Sequence, residues 1–442
     1  MDQRKEAKGI IRAILEASSP EPLVAKAVAE LPPCKGHTLL LAIGKAAFAM
    51  AMAALTTPGF NACRAMIVTK YGHSDASRLA ALPESIRERL CIREAGHPIS
   101  DANSYRAAEE AMAMVEGLTE KDRVVILLSG GGSALFEKPL LPAEEMEDIN
   151  RQLLSSSAEI GEINTIRKRL SAVKGGRFAR LCAPAQVITI ALSDVLSNAP
   201  DQIASGIACP DPTTCEEARR IAAHYALRLS PKAKQLLETE TPKELSNAAV
   251  QIIGGMTFAR TAAASACARY GYRVLLFQPA LTCQARDAGC FFGCLARKAA
   301  RQGRKLALVA GGETVVNLGR QHGLGGRNQE MALAAALAIK DVPGVCFFSL
   351  GTDGTDGPTD AAGGIVEGDT VRSIAVSGLA TAQEALDTHD AYHALKAADC
   401  LLITGPTGTN VNDICVVLVN AGCVGNRSGK TMEEQAKSCI QD

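Results

Sequence analysis

The chain has 442 residues, 47% hydrophobic and 21% charged, with 47 Lys and Arg balancing 47 Asp and Glu. That length exceeds one compact core and predicts two domains, and a net charge of zero argues against a nucleic-acid partner, whose footprint would be basic. Fifteen cysteines include no C-x-x-C pair, which argues against a zinc or disulfide frame. Cys283, Cys290 and Cys294 fall at helical spacing and read as buried, reduced thiols of a protein kept in a reducing compartment.

From the amino terminus, Ala7, Ile10, Ile11, Ile14 and Leu15 mark an amphipathic helix. The acids at Asp2 and Glu6 do not suit a signal or transit peptide. The apolar stretch 39–55 is interrupted by Gly44-Lys45, a poor composition for a membrane span. A cytoplasmic protein with no membrane contact is expected.

One unit then recurs six times: a short Leu/Val/Ile run followed by small, polar and glycine residues. The runs are 39–43, 124–128, 187–192, 306–309, 345–350 and 401–403. Continuous apolar runs alternating with helical segments predict buried parallel strands in βαβ units. Ligands of such sheets bind beyond the carboxyl ends of the strands, where all six polar loops fall. Between the runs, Ser100 or Asp101 is expected to cap a helix through Val115, Asn164 a helix over 165–181, and 328–339 reads as helix. The polar stretch 231–247 is the expected boundary between an amino-terminal domain, 1–240, and a carboxyl-terminal one, 248–424; residues 425–442 read as a polar tail.

Several of these loops suit anions. Ser129-Gly130-Gly131-Gly132-Ser133 lets backbone N–H groups approach a phosphate at the start of a helix, although no Walker A sequence occurs. Lys45, at the end of an apolar run, either reaches solvent or meets an anion. Arg327, in Gly323-Leu324-Gly325-Gly326-Arg327-Asn328, has the planar fork that suits phosphate or carboxylate. Asp353, Asp356 and Asp360 lie within one loop; Asp353, with Asp194 after another strand, is a candidate for Mg²⁺, while Asp356 and Asp360 could instead close turns. The run Arg167-Lys168-Arg169 is either a phosphate clamp or a solvated helix face. His97 and His322 have no evident triad partner.

Taken in order, Ala95-Gly96-His97-Pro98, Leu128-Ser129-Gly130-Gly131-Gly132-Ser133-Ala134, Asn164-Thr165-Ile166-Arg167-Lys168-Arg169, Gly311-Gly312-Glu313-Thr314, Gly325-Gly326-Arg327-Asn328-Gln329-Glu330, Gly351-Thr352-Asp353-Gly354 and Thr404-Gly405-Pro406-Thr407-Gly408-Thr409-Asn410 resemble the type II glycerate kinases. In that group the carboxyl-terminal half is the MOFRL domain. The resemblance implies a Rossmann-like α/β/α sandwich followed by an α/β MOFRL domain, with the active site in the cleft. It also implies ATP- and Mg²⁺-dependent phosphorylation of D-glycerate to 2-phosphoglycerate by a monomer or homodimer. On that basis Lys45 and Arg327 would be catalytic; the loop reading adds Asp353 as a catalytic residue, with Asp194 and Asp353 holding the metal. Ser129, Gly130, Gly131, Gly132, Ser133, Gly405, Thr407, Gly408 and Asn410 would bind phosphates, and Arg167, Glu313 and Asn328 would orient substrate. The chain departs from the family pattern at Leu196-Ser197-Asn198-Ala199 and Ser205-Gly206-Ile207-Ala208, where nucleotide or metal contacts are expected to differ. The alternatives are an NAD(P)H-dependent hydroxypyruvate reductase, which should carry G-x-G-x-x-G after a strand, and a non-catalytic sensor of sugar acids or nucleotides.

Overall fold

The computed structural model describes residues 3–378 and 381–420, so the tail expected at 425–442 lies outside the described residues. The chain divides into two compact units, one of residues 18–255 with 408–411, the other of the described residues in 1–17, 256–407 and 412–442.

The first unit is built on six strands: β1 Thr38–Ile43, β2 Arg64–Lys70, β3 Leu90–Ala95, β4 Arg123–Leu128, β5 Gln186–Leu192 and β6 Ala248–Gly254. They lie in the order β3-β2-β1-β4-β5-β6, every pair parallel. This is the Rossmann strand order. β1 is buried at all six positions because both sheet faces are covered. Leu39, Leu41 and Ile43 enter one core with Val124, Ile126 and Phe136, whereas Leu40 and Ala42 enter the other with Phe48 and Met50. The helix Ala102–Met114 starts as expected, with the Asp101 carboxylate accepting the Ser104 backbone N–H.

The second unit carries β7 Arg273–Leu276, β8 Lys305–Gly312, β9 Val345–Gly351, β10 Gly363–Glu367, β11 Leu401–Leu402 and β12 Asp413–Asn420, ordered β11-β10-β9-β12-β8-β7. Here the expectation of parallel strands fails. Only β7 and β8 pair in parallel; β12 runs antiparallel between β8 and β9, and β10 and β11 continue antiparallel to the edge. An apolar run reports burial on both faces but not direction, and β12 is as deeply buried as β9.

Further expectations are corrected. Strand β6 was assigned to the second domain but completes the first sheet. The helix Gln3–Ser18 was assigned to the first domain, yet Gln3 donates to the Gly344 and Leu418 carbonyls (3.1 and 3.3 Å) and Tyr272 donates to Glu6. The helix expected at 165–181 is two pieces, Ile160–Leu170 and Arg177–Leu181, because Gly175 and Gly176 take left-handed φ values of 57° and 79° between them. Asn164 is therefore inside a helix, and accepts the Ser205 hydroxyl (3.1 Å) instead of capping. Cys283, Cys290 and Cys294 are exposed, not buried, and among the described residues no three His, Cys, Asp or Glu side chains form a metal-binding group. No described helix is long and apolar enough to cross a membrane.

Helices Ala285–Arg301 and Arg327–Ala338 pack at glycines. A Cβ on Gly289 would overlap the Met331 carbonyl, and one on Gly293 would press on Ala335 and Ala338. Gly161, in the helix Ile160–Leu170, faces open space. Ala exceeds Gly in helix preference by about 1 kcal/mol, whereas overpacking against backbone costs about 1–3 kcal/mol. Gly161→Ala should therefore raise the thermal midpoint and Gly289→Ala lower it, as thermal melts followed by circular dichroism would register.

Candidate active site

In the first sheet, β1 and β4 are neighbours while the chain turns outward from them in opposite directions, so their carboxyl-terminal loops border the crevice that this strand order opens. Gly44 has φ 126°, and a Cβ there would strike the Ser129 backbone. Only glycine permits that approach. The Lys45 N–H donates to the Gly130 carbonyl (2.9 Å) and the Ala46 N–H to the Ser129 hydroxyl (3.0 Å), tying the two loops together.

Around Gly131, whose φ is 85°, stand the His97 ring and the Lys45 Cε. The Asp194 carboxylate, beyond β5, packs on Gly130 from the other side. The fold thus brings together Lys45, the Ser129–Ser133 loop and Asp194, which the sequence reading had singled out separately, and places His97 beside them. Burial, reinforced by the positive charges of Lys45 and Lys70, depresses the His97 pKa to about 4, so its imidazole is neutral at physiological pH. The helix following the loop is only Gly132–Leu135, so its dipole adds little.

Beside this loop lies a cavity of about 670 Å³ whose wall includes His97, Ser133, Glu137, Asn150, Arg167 and Lys174. The basic run on the helix Ile160–Leu170 is not a solvated face. Lys168 pairs with Asp201 and Asp211 (3.0 and 3.1 Å), and Arg169 reaches Asp211, Glu240 and Thr213; both are buried. Arg167 alone turns to the cavity, its Nε donating to Asn150 (2.7 Å). Burial lowers its pKa, opposed by Glu137.

In the second unit, the antiparallel course of β12 brings its first residue, Asp413, level with Gly312 and Gly351 at the carboxyl ends of β8 and β9. Arg327, first residue of its helix, meets Asp413 in a two-point fork (2.6 and 3.2 Å) and Glu313 through Nη1 (3.0 Å). Burial works against the Arg327 charge, but the Asp413 hydrogen bonds and both carboxylates outweigh it and hold its pKa above the ordinary value. Burial likewise raises Asp413, against the pull of Arg327. Sequence reading missed Asp413 because it begins a strand, whereas the loop acids considered, Asp194, Asp353, Asp356 and Asp360, all followed one.

The other loop acids divide by role. Asp356 is buried and accepts the backbone N–H groups of Asn328 (3.1 Å) and Gln329 (2.8 Å), fastening the start of the Arg327 helix. Asn328 is itself buried, donating to Asp356 and accepting from Ser349, which is a structural position. Asp360 accepts the Tyr392 hydroxyl (2.8 Å). Asp353 closes a turn onto Thr355 (3.0 Å) and lines a 450 Å³ cavity with Arg327, Asp356, His322 and His389. In the same wall Glu330 meets Arg286 (3.0 Å) and His389 (2.8 Å). Of the loop 404–410, Thr407 is held by its N–H to the Asp353 carbonyl (3.3 Å) and its hydroxyl to Thr352 (2.5 Å), while Gly405 and Gly408 take positive φ.

The fold and these two clusters define a two-unit α/β protein with cationic, glycine-lined loops at the ends of its strands. Residues 6–238 match the domain of unknown function DUF4147, and residues 306–413 match the MOFRL family. D-glycerate 2-kinase of Thermotoga maritima is 43% identical over 94% of this chain and 98% of its own. A putative hydroxypyruvate reductase of Agrobacterium vitis is 37% identical over 94% of both chains. The crystal structure of glycerate kinase from Thermotoga maritima aligns with a TM-score of 0.88 at 42% identity, covering 94% of this chain and 99% of that one. The chain belongs to the type II glycerate kinase family, whose carboxyl-terminal portion is the MOFRL domain.

Burial raises the Asp356 pKa to about 6, against the Asn328 and Gln329 hydrogen bonds and with the help of Asp413's charge. An acid raised in the folded state binds more protons there than unfolded, so its contribution is complete below about pH 4 and lost as pH rises through 6, on the order of 3 kcal/mol. Urea unfolding at pH 4 and pH 7 should show that loss in the wild type, and Asp356→Asn should remove this part of the pH dependence.

Proposed function

We propose that the protein transfers the γ-phosphoryl group of ATP to D-glycerate, giving 2-phosphoglycerate. The observation that carries this reading is the β1/β4 switch point, where Lys45 stands beside an open glycine loop in a chain of this family. Phosphoryl transfer needs little covalent help; it needs charge neutralised and reactants aligned.

In this reading Lys45 supplies a positive charge to the transferring group, and the backbone of the 129–133 loop follows its oxygens. Neutral His97 leaves that charge undiminished. Arg327, fixed by Asp413, presents its remaining donor edge where Glu313 now binds, so a substrate carboxylate or phosphate would exchange with Glu313. Arg167 is a second cation for an anionic substrate, and Gly405, Thr407, Gly408 and Asn410 form a further phosphate-binding loop. Asp194 in the first unit and Asp353 in the second are each proposed as a ligand for Mg²⁺, which neutralises phosphate charge when bound. Asn328 acts from behind, by holding Asp356. We place the enzyme in the cytoplasm, as a monomer or homodimer.

The reductase reading is weaker. The turn after β1 reads Gly44-Lys45-Ala46-Ala47, without the glycine fingerprint, and β2 ends in Lys70 where a dinucleotide enzyme places its ribose-binding acid.

Phosphorus NMR of the protein with MgATP and D-glycerate should show 2-phosphoglycerate growing with ADP. Oxidation of NADH by hydroxypyruvate, without ADP formation from glycerate, would reverse the assignment. Lys45→Met should lower kcat on the order of a hundredfold or more, the scale of losing one charge-stabilising contact, with thermal stability unchanged.

A further inference from the structure

The cavity beside the glycine loop contains more than the proposed transfer of phosphate requires. Its volume, about 670 Å³, lies within the range of sites that enclose drug-sized ligands and far exceeds what a three-carbon acid would fill. At its mouth Ile99 and Leu154 are 70% and 64% exposed, and Pro98 and Met146 continue the apolar lining. Large apolar side chains scattered singly mean little; two lining one cavity offer a flat ligand something to pack against.

Deeper in, Glu137 is 3% exposed. One of its oxygens accepts from Lys174, while Oε1 has no hydrogen-bond partner among the described residues. A buried carboxylate oxygen without a donor is costly, and the cost is relieved when a donor arrives. Arg167 lines the same cavity, hydrogen-bonded to Asn150, with no carboxylate of the described residues at ion-pairing distance. The cavity therefore offers an acceptor awaiting a hydroxyl or N–H, a cation awaiting an anion, and an apolar mouth.

Spacing orders these features. Between Gly131 and Glu137 run the single helical turn Gly132–Leu135 and the extended Phe136, and both ends of this stretch line the cavity. A ligand with phosphates at the glycine loop and Arg167 would bring its sugar hydroxyls level with Glu137 and its ring to the apolar mouth. We infer that this cavity binds the nucleoside end of the phosphoryl donor, and that Glu137 is the specificity-determining residue that reads a ribose hydroxyl. The inference rests on the kinase reading for the identity of the donor and on the cavity alone for its place.

The test compares ATP with 2′-deoxy-ATP and 3′-deoxy-ATP on the wild-type enzyme, and then on Glu137→Gln. A site built around a hydroxyl rejects the analogue that lacks it. At least one deoxy nucleotide should lose tenfold or more in kcat/KM on the wild type, with KM for glycerate unaltered, and E137Q should shrink that ratio to about twofold. Equal use of all three nucleotides by the wild type would overturn the inference while leaving the kinase reading intact, and the wild-type comparison holds even if E137Q fails to fold. If no nucleotide yields phosphoglycerate, the kinase reading fails by itself. Calorimetry with ADP against its 2′- and 3′-deoxy forms then decides the cavity: weaker binding of either deoxy form supports the ribose contact, and equal or absent binding rejects it.

Discussion

The contact between Gly44 and the Ser129 backbone is the constraint on which the first unit's chemistry depends. Parallel strands lie under 5 Å apart, so two loops leaving adjacent strands in opposite directions must begin almost in contact. A side chain at Gly44 would force them apart and break the bonds from Lys45 to Gly130 and from Ala46 to Ser129. With glycine there, Lys45 is pinned at its backbone while its side chain passes beside Gly131. The position of the lysine is thus a consequence of a missing Cβ one residue earlier.

The second unit solves a similar problem with a reversed strand. In a parallel sheet every strand delivers its last residue to the functional edge, and the first residues lie at the opposite edge. Inserting β12 antiparallel between β8 and β9 turns its first residue to that edge, and Asp413 meets Arg327 there. A buried carboxylate and guanidinium are expensive apart and tolerable together. The same logic explains why Glu313, half exposed, is the partner that can be displaced, while Asp413, 8% exposed at its side chain, is not.

Much of this was legible in the sequence. The six apolar runs all became strands, and Lys45, Arg327 and the glycine loop stand out because a charge or a glycine cluster at the end of a buried run demands explanation. What the sequence hid was direction and pairing. Val416 and Val417 look alike in a parallel or an antiparallel strand, so neither β12 nor Asp413 announced itself. Asp356 and Asp353 sit three residues apart in one loop and line one cavity, yet Asp356 is buried and fastens a helix start while Asp353 only closes a turn onto Thr355; only the third dimension separates them. Strand β6 was misassigned because its alternating burial at a sheet edge gives a weaker signal than a central strand.

The run Arg167-Lys168-Arg169 shows how one short sequence can hold both kinds of charge. Successive residues on a helix point about 100° apart, so three adjacent cations cannot share an environment. Lys168 and Arg169 turn toward Asp211, are buried and are paired there. Arg167 turns the other way, toward a wall where Glu137 is already engaged by Lys174. Composition alone gave all three the same reading. The pairing of two is what isolates the third: Asp201 and Asp211 are committed to Lys168 and Arg169, while Glu137, bonded to Lys174 through one oxygen, only partly offsets the Arg167 charge, which an incoming anion would stabilise further.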